Sequence, residues 1–451
     1  MKLFSLFLLA LSFELQAHYP PENFGHDSRG TNGNIFVDFQ EAKSTITYDL
    51  STYKVSAETV IHFYQSEQGR PIFDLIPTIQ DLEIDGERSE AVTKSLPNQV
   101  SRARVISQTL SQGSHRMIIK NNIDKLVSFN SYNKTVRSAF WMSYLSDRRY
   151  LERYLPTNLE YDQYKNTFEI KITNTSKEHQ LYANGFIKNI GFNHFEVSFP
   201  EYYTSSSVYF HLVEKGAYPE TSFEFNSVDG RIIPVTIYTD SNIQAFKDDT
   251  LRILAELEGD YGPWPHDFLI VYGAGMGGME YAGATRTSLR ALGHELHHGY
   301  FARNMMPSRG NAGWVDEALA SWRDNGYPRT SVGALKYSKM GGHSTYRRTT
   351  DTDAYSKGAR VMAYFNYRLE EKGGLRPFLK EYFAKYKTQT FLTATFKDEL
   401  ETYLGQQLDN IFNPYVFGKA YKSNKNLKIK KDDRPNPMHP KLTDNQLMLM
   451  L

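Results

Sequence analysis

The 451-residue chain contains no cysteine, which excludes disulfides, thiolate metal ligands and a lipid-modified N-terminal cysteine together. Net charge is nearly absent as well, because 52 basic residues stand against 51 acidic ones and leave +1 at pH 7. No global field draws such a chain toward nucleic acid or anionic lipid, and neither is expected as a partner. Long apolar runs are missing after the first residues. Lys2, the apolar stretch from Leu3 to Phe13 and Ala17 before His18 have the layout of a secretory signal. That stretch is too short to cross ~30 Å of hydrocarbon as a helix. The expectation is export, periplasmic or secreted, with cleavage after Ala17 and no stable membrane insertion; a retained anchor is the alternative. An exported chain without disulfides relies on its cores, its size and a metal. Hydrophobic residues at 40% and charged residues at 23% supply those cores, and the length calls for two or three domains. Nothing in the sequence speaks to oligomeric state.

The grammar of the chain changes once. From about Gly33 to Pro234 it alternates in short runs, such as Thr45-Ile46-Thr47-Tyr48, Thr59-Val60-Ile61-His62-Phe63, Thr167 to Ile172 and Ser207 to Leu212. Period-two runs of β-branched and aromatic residues between Gly, Asn, Asp and Ser predict antiparallel strands and an all-β layer. After Pro234 a strand at Val235 to Tyr238 leads to Asp240-Ser241, capping residues for a helix to about Leu257, and His266 to Tyr272 is a further strand. Helices then dominate: about Ser288 to Asn304, Val315 to Asp324, Lys357 to Glu371, Leu375 to Lys387 and Thr393 to Leu404. The organisation expected is a leader (1–17), a β-sandwich-like domain (18–232), a mainly helical domain (233–421) and a polar tail (422–451), a multidomain α+β chain.

One segment carries chemistry. In Gly293-His294-Glu295-Leu296-His297-His298-Gly299, His294 and His298 lie four apart and share a helix face, their Cβ atoms ~6 Å apart. Two imidazoles so placed can reach one Zn²⁺ at ~2.0–2.1 Å. Glu295, beside the first ligand, can accept a proton from the attacking water. His297 points about 100° away from that face and reads as a packing residue. On these residues alone a zinc site and a histidine-rich surface helix both stand. Glu317, nineteen residues beyond His298 within Trp314-Val315-Asp316-Glu317-Ala318-Leu319, shifts the balance. Its apolar spacing predicts a second, antiparallel helix able to bring a third ligand, with the fourth position left to water. Asp316 either orients a ligand or is solvated.

His294-Glu295-x-x-His298 followed by Glu317 resembles the zinc signature of the gluzincin aminopeptidases, the aminopeptidase N family. Upstream, Gly277-Gly278-Met279-Glu280-Tyr281 resembles that family's Gly-x-Met-Glu-Asn exopeptidase motif, with Tyr281 in place of Asn. Downstream, Tyr355-Ser356-Lys357-Gly358 resembles its Tyr-x-Lys-Gly element. Arg149-Tyr150 to Pro156 and Tyr161 to Phe168 are similar to its N-terminal β-domain. The resemblance implies a thermolysin-like catalytic domain with one zinc per chain on His294, His298 and Glu317. It implies Glu295 as general base, Tyr355 (or, less well placed, Tyr346) as oxyanion donor, and Glu280 as anchor for the substrate's free amine. Gly277, Gly278 and Met279 would line the first specificity pocket, and peptides would be the substrates. The intervals from Glu280 to His294 and from Glu317 to Tyr355 are shorter than the family's, and the family's large helical C-terminal domain has no counterpart after residue 420.

Three alternatives remain at the level of sequence. The lesser reading of Glu280 is a turn residue after a strand. The site could serve a zinc endopeptidase with an open cleft, or a catalytically silent, zinc-stabilised binding protein. A structural zinc would need a fourth ligand, and His343 is the one candidate, otherwise a loop histidine.

Overall fold

A computed structural model describes residues 33–95, 102–123, 126–141, 151–158, 162–275, 277–308, 310–343 and 350–419. The leader, the tail, Arg149-Tyr150, Tyr161 and Tyr346 lie outside the described residues. Among the described residues no helix is long and apolar enough to cross a membrane.

The N-terminal half is built of sheets. Its spine has eight strands in the order Phe186–Gly191, His194–Ser198, Lys165–Thr173, Asp38–Asp49, Lys54–Gln65, Gly113–Asn122, Ile79–Ile84 and Glu87–Arg88. The two long central strands show why the alternation matters. Ile46 and Tyr48 on one, and Val55, Ala57, Ile61 and Phe63 on the other, are buried, while Lys54, Glu58 and His62 face water. Their hairpin closes where Asp49 accepts the Ser51 N–H at 2.9 Å and the Thr52 hydroxyl at 2.7 Å. The expectation of purely antiparallel pairing is corrected at two places: Lys165–Thr173 runs parallel to Asp38–Asp49, and Asn34–Phe36 runs parallel to Arg70–Asp74. Chain segments of more than thirty residues separate each pair, long enough for a crossover.

In the second half helices predominate, and they pack with a further sheet. A five-stranded sheet runs in the order Glu220–Asn226, Ile232–Thr239, Leu269–Gly273, Ala284–Thr287, Gly278–Tyr281. Glu280 therefore sits in a strand, at the edge of this sheet, and not in a turn. The helices are α1 (Ile243–Tyr261), α2 (Leu292–Phe301), α3 (Trp314–Asp324), α4 (Ala359–Arg368), α5 (Leu375–Tyr386), α6 (Thr393–Leu404) and α7 (Asp409–Tyr415). The cap of α1 is Asn242, which accepts the Ala245 N–H at 3.1 Å, so the helix starts later than Asp240-Ser241 suggested and runs past Leu257. The helix expected from Lys357 opens instead as a π-helical turn, Ala354–Gly358, before α4. Residues 207–209 precede their strand, which begins at Phe210; Ser207 belongs to a turn closed by its N–H on the Thr204 carbonyl at 3.0 Å.

Both α2 and α3 are buried on nearly every side, in one core with Trp264, Tyr300, Phe301, Trp314 and Trp322. Polar side chains on such helices need partners, and those partners form the site. The two halves meet in an aromatic seam. Tyr182 and Tyr209 come from one side, Tyr238, Met279 and Tyr281 from the other. Tyr182 and Tyr272 stack on Tyr238 at centroid distances of 3.8 and 4.7 Å.

Candidate active site

Helices α2 and α3 pack antiparallel, and the cross-links run in opposite order along them. His294, early on α2, places Nδ1 2.7 Å from Asp324 Oδ2, late on α3; His298 hydrogen-bonds through Nδ1 to Asp316, early on α3. Each imidazole is thereby oriented by a carboxylate and turns Nε2 toward Glu317. The distances to Glu317 Oε2 are 3.3 Å from His294 and 3.5 Å from His298. Ligands ~2.0–2.1 Å from a shared tetrahedral Zn²⁺ stand about 3.3–3.4 Å from one another, so the donor set fits this ion without rearrangement. Two nitrogens, one carboxylate oxygen and a carboxylate behind each histidine also match zinc in chemistry. Asp316 is thus buried and bonded to His298, and it is not solvated. His297 packs edge-on against Tyr261 and stacks on Phe301, fully buried and away from the cluster, as its helical position predicted.

Electrostatics agree with a cation at this point. Burial pulls the His294 imidazole down, but hydrogen bonds to Asp324 and Glu317 outweigh it and hold it up at about 9. For His298, burial is likewise outweighed, by the charges of Asp316, Glu280 and Glu317, and the group stands well above the usual imidazole range. These carboxylates favour positive charge here, whether proton or metal.

Glu295 is buried, with its carboxylate, that of Glu280 and a nitrogen of His298 within 4.8 Å of one another. Burial, then the charge of Glu280, raises its pKa above the carboxylate range. Its neighbour across the cleft is Gly278, where an added Cβ would lie 2.0 Å from Glu295 Oε1; only glycine lets the strand approach. Gly277, at φ +79°, turns the chain into that strand. Strand alternation sends Glu280 toward the cluster and Met279 to the opposite face, into the aromatic seam. Met279 is thus the one expected site residue whose side chain is not brought to the others. Tyr355 is brought in by the π-helical turn. Its hydroxyl donates to Glu317 Oε1 at 2.7 Å, and its ring lies nearly parallel to that of His294.

Sequence reasoning missed three residues. Asp324 lies seven positions after Glu317, two helical turns on, and that spacing was the available signal. Arg323 holds Asp324 at 3.2 Å and Glu256 at 2.8 Å, passing so close under α2 that a Cβ on Gly293 would meet its guanidinium at 2.2 Å. Arg303, buried, donates to Glu280 Oε1 at 2.6 Å, a contact no local pattern foretold. His343 is not in the metal cluster found among the described residues.

The sequence matches no protein-family model and no curated relative. Solved structures do resemble it. An M1 zinc metallopeptidase from Deinococcus radiodurans superposes with a TM-score of 0.61 at 16% identity, over 86% of this chain and 95% of that one. A mutant of the Deinococcus radiodurans enzyme bound to a Tyr-Ser-Ala substrate gives 0.61 at 15% identity over 86% and 95%. Yeast leukotriene A4 hydrolase in complex with bestatin gives 0.63 at 14% identity, over 86% of this chain and 68% of that one. A sheet-built N-terminal part followed by a part carrying the helices is therefore a fold this chain shares with the M1 zinc metallopeptidases.

Proposed function

We propose that the chain is a zinc-dependent aminopeptidase, a hydrolase that removes N-terminal residues from peptides with one zinc per chain. The observation that carries this reading is the convergence of His294 Nε2 and His298 Nε2 on one oxygen of Glu317, with Glu295 and Glu280 buried beside them. When bound, zinc supplies Lewis acidity toward the scissile carbonyl and makes the attacking water more acidic. Glu295 takes the proton of that water and passes it to the leaving amine, and its raised pKa suits a group that must do both. Glu280 receives the ammonium at the substrate's N-terminus, and the backbone of Gly277, Gly278 and Met279 borders the first pocket. Tyr355, poised on Glu317, donates its hydroxyl to the oxyanion.

The peptide bound to the Deinococcus radiodurans enzyme supports a peptide substrate. The greater coverage of that chain than of the yeast hydrolase supports a cleft made by the two parts described, with a thermolysin-like arrangement of α1 to α7. Export through the leader remains part of the proposal. The endopeptidase reading is kept alive by one contact, the Arg303 guanidinium already on Glu280.

Replacing Glu295 with Gln tests the mechanism. Zinc content should persist while turnover falls by about 10²–10⁴-fold. A zinc-loaded Glu295→Gln protein that turns over like the parent would remove Glu295 from the mechanism.

A further inference from the structure

Glu280 sits on the edge strand Gly278–Tyr281, which among the described residues has a sheet neighbour, Ala284–Thr287, on one flank only. Its position therefore depends on what docks against the hairpin from the other side, and that is the N-terminal half. The Ala282 N–H at the hairpin tip donates to the Ser207 carbonyl at 3.1 Å. Asn184 Nδ2 donates to the Ser207 carbonyl at 2.6 Å and to the Ala282 carbonyl at 2.7 Å. Tyr203 adds its hydroxyl to the same Ala282 carbonyl at 3.2 Å. These four bonds fasten the hairpin backbone to one hydroxyl-lined turn.

Arg303 continues the same fastening to the side chain. It follows α2 directly, its N–H bonded to the His298 carbonyl at 2.9 Å, so its origin is tied to a zinc ligand's helix. Its Nη2 donates to Glu280 Oε1 at 2.6 Å and its Nη1 to Ser206 Oγ at 2.7 Å. Ser206 is in turn 3.0 Å from Thr204 Oγ1 within the turn. All three members, Glu280, Arg303 and Ser206, are buried. A planar guanidinium bridging two fixed acceptors admits few geometries, in contrast to a flexible ammonium.

We propose that Arg303, fixed by Ser206 of the N-terminal half, is a positioning residue that sets where Glu280 presents its carboxylate to the substrate's N-terminus. The proposal rests on the aminopeptidase reading and deepens it: the N-terminal half is a working part of amine recognition. Glu280 is shared between a resident cation and an incoming one, so the free amine binds to a pre-aimed carboxylate whose charge is already half answered. A substrate without that amine leaves the other half of the Glu280 charge buried and unanswered, which is costly. Discrimination between free and blocked N-termini then depends on Arg303 holding its angle.

The test uses a tripeptide with a free N-terminus and its N-acetylated counterpart. Both are assayed on the zinc-loaded full chain and on Arg303→Gln, Arg303→Lys and Ser206→Ala. Arg303→Gln should lower kcat/KM for the free tripeptide on the order of 10²-fold, mainly through KM, and shrink the ratio between the two substrates. Arg303→Lys should recover part of the ratio, and Ser206→Ala should show a smaller loss with zinc content unchanged. A purely structural role would instead lower kcat on both substrates alike and leave their ratio at the parent value, which overturns the proposal. Where Arg303→Gln does not fold, Ser206→Ala decides, because a parent-like KM and ratio there contradict the tether. A parent protein that cuts both tripeptides equally overturns the aminopeptidase reading and this proposal together. A parent preference that survives in both Arg303→Gln and Ser206→Ala overturns this proposal alone.

Discussion

His294 and His298 were legible from the sequence because a helix brings residues four apart to one face, and no tertiary knowledge is needed for that. Their orienting carboxylates are of another kind. Asp324 is thirty residues from His294 and reaches it only because α3 returns antiparallel along α2. What holds each imidazole also sets its affinity for a metal, since the carboxylate fixes the tautomer and raises ligand basicity. Asp316→Asn should therefore weaken zinc binding by about 10–100-fold, read by competition with a chelating dye; unchanged affinity would contradict the orienting role. The pH dependence has a definite sign. His294 keeps its proton up to about 9, above its ordinary 6.5, so zinc must displace a proton below that pH. Affinity should fall as pH drops from 9 to 6, with protons released on binding. Calorimetry in buffers of different ionisation enthalpy measures that release, and binding without it would show the imidazole already neutral.

Elements were read more coarsely than residues. The helix Thr393–Leu404 was placed correctly, because its hydrophobic period is closed by Gly405 at φ +69°. The segment before α4 was not, because a π-helical turn inserts one residue per turn and leaves no mark in a period-3.6 pattern. That same turn delivers Tyr355 to Glu317. The strand Gly278–Tyr281 was also hidden, since four residues that open on a glycine make no alternation to count. Its glycine nevertheless has a function the contacts define. Gly278→Ala should displace the Glu295 carboxylate, so activity should drop sharply while zinc stays bound, at a stability cost of about 1–3 kcal/mol. Parent-like kcat in Gly278→Ala would mean that the strand and α2 separate without consequence.

At the scale of the whole molecule, the change of grammar near Pro234 was visible, and the seam that unites the halves was not. Tyr209 and Tyr238 lie in runs that read as ordinary strands, and only the packed sheets reveal that they join Tyr182 in one cluster across the junction, where Tyr182 stacks on Tyr238. Burial elsewhere in the N-terminal half carries a second global consequence. Asp162 is buried near Asp38, and burial first, the neighbouring charge second, pushes its pKa from 3.8 up to about 8. The folded state thus holds a proton that the unfolded chain gives up, so stability contributed by this group is present at acid pH and is lost as pH rises from about 4 to about 8. Asp162→Asn keeps the neutral shape and should raise Tm at pH 8 more than at pH 5. Equal shifts at both pH values would show that Asp162 is charged in the fold.

The most direct measurement is cleavage of one aminoacyl-amide fluorophore, free and N-acetylated, by the same sample before chelation, after chelation and after zinc is restored. The expected result is one zinc per chain and release from the free amine only, abolished by the chelator and recovered with stoichiometric zinc. Zinc bound at His294, His298 and Glu317 with no release from either compound, or with equal release from both, would contradict a zinc aminopeptidase.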